Sequence, residues 1–150
     1  MSPDGLALIG PLGIEAIRDA GWRADAVGGL TLGADPISYA IAHASALETT
    51  GERQMIRAFT VRKEAKQHGT GRLVEGPFRS GDRVVVIEDV ITTGGSALRA
   101  VDAIRQAGGE ILGVLALVDR EEGGREALEA AGLAVRSLAL ASDIVARLPG

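Results

Sequence analysis

The chain has no cysteine among its 150 residues, which excludes disulfide frameworks, thiolate metal sites and cysteine nucleophiles together. That absence fits a reducing compartment, and a cytoplasmic location is expected. Aromatic side chains are scarce at 3%. Trp22, Tyr39 and Phe59 are candidates for the core, and no aromatic platform for stacking bases is present. No apolar run approaches the roughly 18 residues that a membrane span needs, and the N-terminus lacks the charged-then-apolar layout of a signal peptide. A basic surplus is missing too: 16 Lys and Arg face 20 Asp and Glu, for a net charge of −4. Neither nucleic acid nor a membrane is expected as a partner. Lysine is almost absent, since only Lys63 and Lys66 break an otherwise all-arginine basic set.

What is present suits one globular domain over 1–150, with 46% apolar and 24% charged residues. Helix-like and strand-like segments alternate, which predicts an α/β fold with a five-stranded, mainly parallel sheet between two helical layers. Ser2-Pro3 reads as a helix start, Gly21 as its stop, and Pro11 is expected to kink or split that helix. Ala26–Gly28 reads as a short buried strand, Asp35-Pro36 opens a helix through about Leu47, and Met55–Val61 is the next strand. Val84–Ile87 is a β-branched run of the kind found at the centre of a parallel sheet. A helix from Ser96 to Ala107, a strand from Ile111 to Val118, a short helix from Gly124, a last strand from Leu133 and a terminal helical turn from Ser142 follow.

Residues 62–82 lack an apolar period and predict a functional loop. Between 53 and 83 stand eight basic and three acidic residues, a local surplus of +5 that leaves −9 elsewhere. Both lysines and His68 fall in this segment. His43, within the second helix, reads as structural, and Asp35 is equally well a helix cap.

The string Val84-Val85-Val86-Ile87-Glu88-Asp89-Val90-Ile91-Thr92-Thr93-Gly94-Gly95-Ser96 carries the strongest signal. A strand delivers two carboxylates to its C-terminal end, and a turn rich in hydroxyls and glycines leads into a helix. The amides of such a turn and the positive end of the helix dipole make an anion cradle of phosphate size. Glu88 and Asp89 repel a phosphate, so they suit vicinal sugar hydroxyls beside it or a bound cation. No Gly-Lys-[Ser/Thr] is present and no G-x-G-x-x-G follows the strand, which rules out two familiar phosphate loops.

This string resembles the phosphoribosyl pyrophosphate (PRPP) signature of type I phosphoribosyltransferases. Arg62-Lys63-Glu64-Ala65-Lys66-Gln67-His68-Gly69 is similar to the mobile catalytic loop of the orotate branch of that family. Val118-Asp119-Arg120-Glu121-Glu122-Gly123-Gly124 resembles its orotate-binding turn, and Gly28–Pro36 its pyrophosphate-side loop. The resemblance implies the type I three-layer fold with a mobile basic loop over about 62–82. It also implies transfer of ribose 5-phosphate from PRPP to orotate, with magnesium bound mainly through PRPP. Arg62, Lys63, Lys66 and His68 would then neutralise the diphosphate, with Lys66, Asp89, Arg62 and His68 catalytic. Glu88 and Asp89 would hold the ribose hydroxyls, Thr92 through Ser96 the 5′-phosphate, with Val90 and Ile91 also in the PRPP site, and Thr92 and Arg120 the orotate. A homodimer sharing the basic loop across subunits is implied as well. The chain is expected to lack the family's N-terminal hood over the base, and Leu32 stands near where some relatives carry a basic residue. Transfer to a different base, or a non-catalytic PRPP-binding regulatory role, remain as alternative readings.

Overall fold

The computed structural model describes residues 1–48, 54–69 and 71–149. Arg53 and Thr70, which belong to the basic segment, lie outside them. Among the described residues the elements are α1 (Pro3–Asp19), β1 (Ala26–Leu30), α2 (Ala34–Leu47), β2 (Arg57–Val61), β3 (Val74–Glu75) and β4 (Arg83–Ile91). They continue with α3 (Gly95–Gln106), β5 (Glu110–Asp119), α4 (Gly124–Ala130), β6 (Val135–Leu140) and α5 (Ala141–Ala146). No helix among them is long and apolar enough to cross a membrane.

The strands order as β3-β2-β1-β4-β5-β6. The sheet therefore has six strands where the sequence predicts five. The extra strand is β3, two residues long and antiparallel to β2; every other pairing is parallel. So short a strand has no alternation to read, and it exists because the returning chain can pair with the open edge of β2.

Strand periodicity builds the layers. Val84 and Val86 point to one face, where they pack with Ala97, Val101 and Ile104 of α3. Val85 and Ile87 point to the other and meet Ile14 and Ile17 of α1 and Ile37 and Ile41 of α2. Removing a fully buried side chain such as Ile41 would cost about 2–5 kcal/mol.

Three expectations are corrected here. Pro11 does not split α1, which runs unbroken past it. Pro11 and Ala7, whose carbonyl its ring deprives of a partner, are both exposed, so water can satisfy that carbonyl while the buried stripe holds the helix together. Tyr39 is not a core residue: it is 53% exposed, while Phe59 is buried at 1%. Its hydroxyl lies 3.0 Å from that of Thr60, which keeps the polar end of the ring at the surface. Third, β4 does not stop at Ile87 but pairs with β5 as far as Val90↔Val118 and Ile91↔Asp119.

The chain winds outward from β1 through β2, then returns to place β4 on the other side of β1 and winds away through β5 and β6. The direction therefore reverses between β1 and β4, and in open parallel sheets that reversal leaves a crevice beyond the strands' C-terminal ends.

Candidate active site

Because β4 continues through the acid pair, Glu88 and Asp89 face opposite sides of the sheet. Glu88 follows Val84 and Val86 toward α3. It is buried at 6% exposure, and its Oε1 has no hydrogen-bond partner among the described residues. Burial, reinforced by the neighbouring charge of Asp89, pushes its carboxyl up to about 7. Asp89 turns toward the loop after β1 and is exposed, with its Oδ1 accepting from the Val90 amide at 2.7 Å. A Cβ on Gly33 would lie 2.5 Å from Asp89 Oδ2, so a side chain there would push the Asp89 carboxylate out of its present position.

The turn from Thr92 to Gly94 then aims α3 into the crevice. Gly94 takes φ +85, a left-handed conformation that suits glycine. No side chain caps α3. The nearest hydroxyl contact is a long one, 3.4 Å from the Gly95 amide to Thr93 Oγ1. Glu88 and residues 90–97 line one small hollow at this helix start. Free amides, exposed hydroxyls on Thr93 and Ser96 and the helix dipole thus converge on one spot that favours an anion.

The second turn is tied directly to the first, because the Arg120 amide donates to the Ile91 carbonyl at 3.0 Å. Beneath it, buried Asp119 accepts from the Glu121 amide (2.9 Å) and from Arg125 Nε (2.8 Å). Arg125 also reaches the Ser137 hydroxyl at 2.9 Å. The Arg120 guanidinium is left exposed and paired with Glu122 at 2.9 Å.

The basic segment leaves the sheet at the end of β2, next to β1. Arg62 Nη1 and Lys66 Nζ both lie against Glu75 Oε1 of β3, at 3.3 and 3.0 Å. Arg99 of α3 donates to the Lys63 carbonyl at 3.0 Å. Lys63, Lys66 and His68 are exposed. On the other side of the crevice, Asp35 is not the cap of α2, a position held by Gly33. It accepts instead from the hydroxyls of Thr31 (2.6 Å) and Thr60 (3.0 Å). It therefore ties the loop after β1, whose Thr31–Leu32 peptide is cis, to the root of the basic segment. His43 is exposed on α2 beside an apolar groove.

The fold therefore gathers Glu88, Asp89, the 90–96 turn and Arg120 at the β1/β4 reversal, with the basic loop rooted one strand away. The sequence assigns no role to Glu75 or Arg125, and it places Asp119 and Glu122 in the orotate-type turn without a role of their own. Asp119 and Arg125 anchor that turn through a contact that no local spacing announces. Glu75 was detectable as an acid inside a basic segment.

The phosphoribosyl transferase domain matches residues 2–131. The orotate phosphoribosyltransferase of Aquifex aeolicus is 50% identical over 143 residues, covering 95% of this chain and 75% of its own length. That of Corynebacterium glutamicum is 52% identical over 137 residues, 91% and 70% of the two chains. The crystal structure of Mycobacterium tuberculosis orotate phosphoribosyltransferase in complex with PRPP superposes with a TM-score of 0.79 at 48% identity, covering 93% of this chain and 75% of that one. A likeness this broad in sequence and in fold, over a crevice of this make-up, shows that the chain belongs to the phosphoribosyl transferase domain family and, within it, to the orotate phosphoribosyltransferases.

Proposed function

We propose that the protein transfers the 5-phosphoribosyl group of PRPP to orotate, releasing pyrophosphate and giving orotidine 5′-monophosphate for pyrimidine nucleotide synthesis in the cytoplasm. One observation carries this reading. A buried, unpartnered carboxylate oxygen on Glu88 lies beside an uncapped helix start, with the Arg120 turn hydrogen-bonded to the same strand end. Sugar hydroxyls, a phosphate and a carboxylated base are the three chemistries that these groups accept.

The 5′-phosphate sits on the amides and hydroxyls of residues 90–96, the ribose hydroxyls donate to Glu88 and Asp89, and the Arg120 fork pairs with the orotate carboxylate, with Thr92 beside the base. As the bond to the diphosphate stretches, the ribose gains oxocarbenium character and the leaving group gains negative charge. The Glu88–Asp89 pair favours the first. Arg62, Lys63, Lys66 and His68 neutralise the second, so catalysis is mainly positioning and charge stabilisation.

Among the described residues no group of three or more carboxylates or imidazoles could hold a metal ion. Magnesium needs few protein ligands when a substrate supplies phosphate oxygens. The ion would be held mainly by PRPP itself, with no protein ligand assigned, and when bound it offsets the diphosphate charge. A homodimer is part of the same proposal. Exposed Leu6, Leu32, Tyr39 and Leu47 border an apolar groove between α1 and α2 that supports it.

The test is to supply PRPP and magnesium with orotate, uracil or a purine base in separate reactions and to measure pyrophosphate. Release with orotate alone is expected. Release only with another base would move the protein to a different substrate, and PRPP binding without release would make it a sensor.

A further inference from the structure

Arg62 and Lys66 are both engaged before any substrate arrives. They share one oxygen, Glu75 Oε1, at 3.3 and 3.0 Å. The arrangement follows from the register of the edge hairpin. Glu75 lies opposite Thr60 and Val74 opposite Val61, and the Arg62 amide extends the ladder by donating to the Leu73 carbonyl at 2.8 Å. The acid therefore stands beside the point where the basic segment leaves the sheet. Its two cations, Lys66 foremost, hold the Glu75 carboxyl below the usual carboxylate range.

A carboxylate oxygen and a diphosphate oxygen are the same class of acceptor, so Arg62 and Lys66 cannot serve both at once. We propose that Glu75 is a positioning residue that occupies Arg62 and Lys66 in the ligand-free enzyme and surrenders them to the diphosphate of the substrate. This rests on the reading above that those two cations neutralise that diphosphate. The loop is thus held by an internal anion that an external one replaces in each cycle. The side chains involved are 36–53% exposed. Ion pairs so open to solvent are weak, which suits a contact that must be broken at every turnover. Glu64, in the same loop, offers a comparison: its carboxylate takes neither cation, and only its backbone carbonyl accepts from Arg62 Nε, at 3.3 Å.

The test has a ligand-free arm and a ligand arm. In the ligand-free protein, the Glu75 carboxyl is titrated by carbon NMR. It is expected below the ordinary glutamate range and should rise toward that range in Lys66→Ala, where Arg62 alone remains beside it; an ordinary value in the unmodified protein overturns the proposal whatever the loop binds. In the ligand arm, inorganic diphosphate is titrated calorimetrically at low salt. Glu75→Gln should bind it about two- to fivefold more tightly, a gain that vanishes at high salt, while Glu64→Gln should bind it as the unmodified protein does. Equal tightening in both variants would mean a general charge effect and would overturn the proposal, as would no change in Glu75→Gln. If Lys66→Ala leaves diphosphate affinity untouched, the clamp reading fails and the exchange fails with it. If Lys66→Ala weakens binding and Glu75→Gln changes nothing, the exchange alone fails.

Discussion

At the end of the sheet where the strands begin, Asp25 accepts from the Arg83 amide at 2.8 Å and from its Nε and Nη2 at 3.0 Å, and from Gln54 at 2.8 Å. Nearby, Asp82 accepts from Arg57 (2.6 Å) and from the Arg79 amide (2.8 Å). At the end where the strands finish, Glu88 is as buried as Asp82, yet among the described residues one of its oxygens has no partner and α3 begins without a side-chain cap. A buried polar group is ordinarily paired. The contrast therefore separates a closed end, whose charges hold the fold, from an open end, whose charges wait for a ligand. Substitutions at the two ends should fail in different assays, and that is how the contrast is tested.

The largest effect expected is at the open end. Lys66→Ala should lower kcat by about 100- to 1000-fold and raise the KM for PRPP far less, because its charge matters most as the diphosphate departs. Its melting temperature should not move, since the side chain is exposed. Unchanged turnover would remove Lys66 from the chemistry. Asp25→Ala should do the reverse, costing about 2–3 kcal/mol of stability through the donors it strands, with kinetics intact below the melting point. The hydrogen-bonded Arg83 guanidinium, more than any other neighbour, holds the Asp25 carboxyl well below its usual range. That stability is complete above the unfolded-state value near 3.9 and declines as pH falls further, so acid unfolding curves of the variant should lack this component. A variant as stable as the parent at pH 7 would break the contrast from the closed side.

Much of this was legible in the sequence, and the limits are physical. Val84–Ile87 announced a central strand because four β-branched residues in a row suit burial on both faces, and Gly94-Gly95 announced the turn. The end of that strand was not legible. Glu88 and Asp89 look like a boundary by composition, and only pairing to Val118 and Asp119 across the sheet carries β4 through them. β3 escaped for the same reason, being made by an available edge and not by its own two residues. Pro11 misled because helix propensity is local, whereas the packing of Ile14 and Ile17 is not. The site residues were readable as types and order; which way each acid faces required the sheet.

Glu88 is where the two ends of the contrast meet in one residue. A carboxyl pushed up to about 7, against an unfolded value near 4.3, destabilises the protein when ionised. Ligand-free stability should therefore fall as pH rises from about 4.3 and level off above about 7. Glu88→Gln should be about 1–3 kcal/mol more stable than the parent at pH 8 and no more stable near pH 4, while binding PRPP more weakly. Calorimetric melting at both pH values decides it, and equal stability at pH 8 would show that the open oxygen carries no cost.

The smallest effect belongs to Arg120, an open-end cation that, like Arg62 and Lys66, the chain partly closes for itself. Its guanidinium is 55% exposed and shared with Glu122, itself 46% exposed. A pair so open is worth about 0.2–1 kcal/mol, and orotate must displace it to offer its own carboxylate. Glu122→Gln should thus lower the KM for orotate by about twofold, leave kcat and the KM for PRPP unchanged, and lose its advantage in high salt. The neighbouring Asp119–Arg125 anchor predicts the opposite sign, because it fixes the turn from below and competes with nothing: Arg125→Ala should raise the KM for orotate and lower the melting temperature together. If Glu122→Gln also raised that KM, Glu122 would belong with Asp119 as a support of the turn, and the line between closed and open charges would have to be redrawn through the Arg120 turn itself.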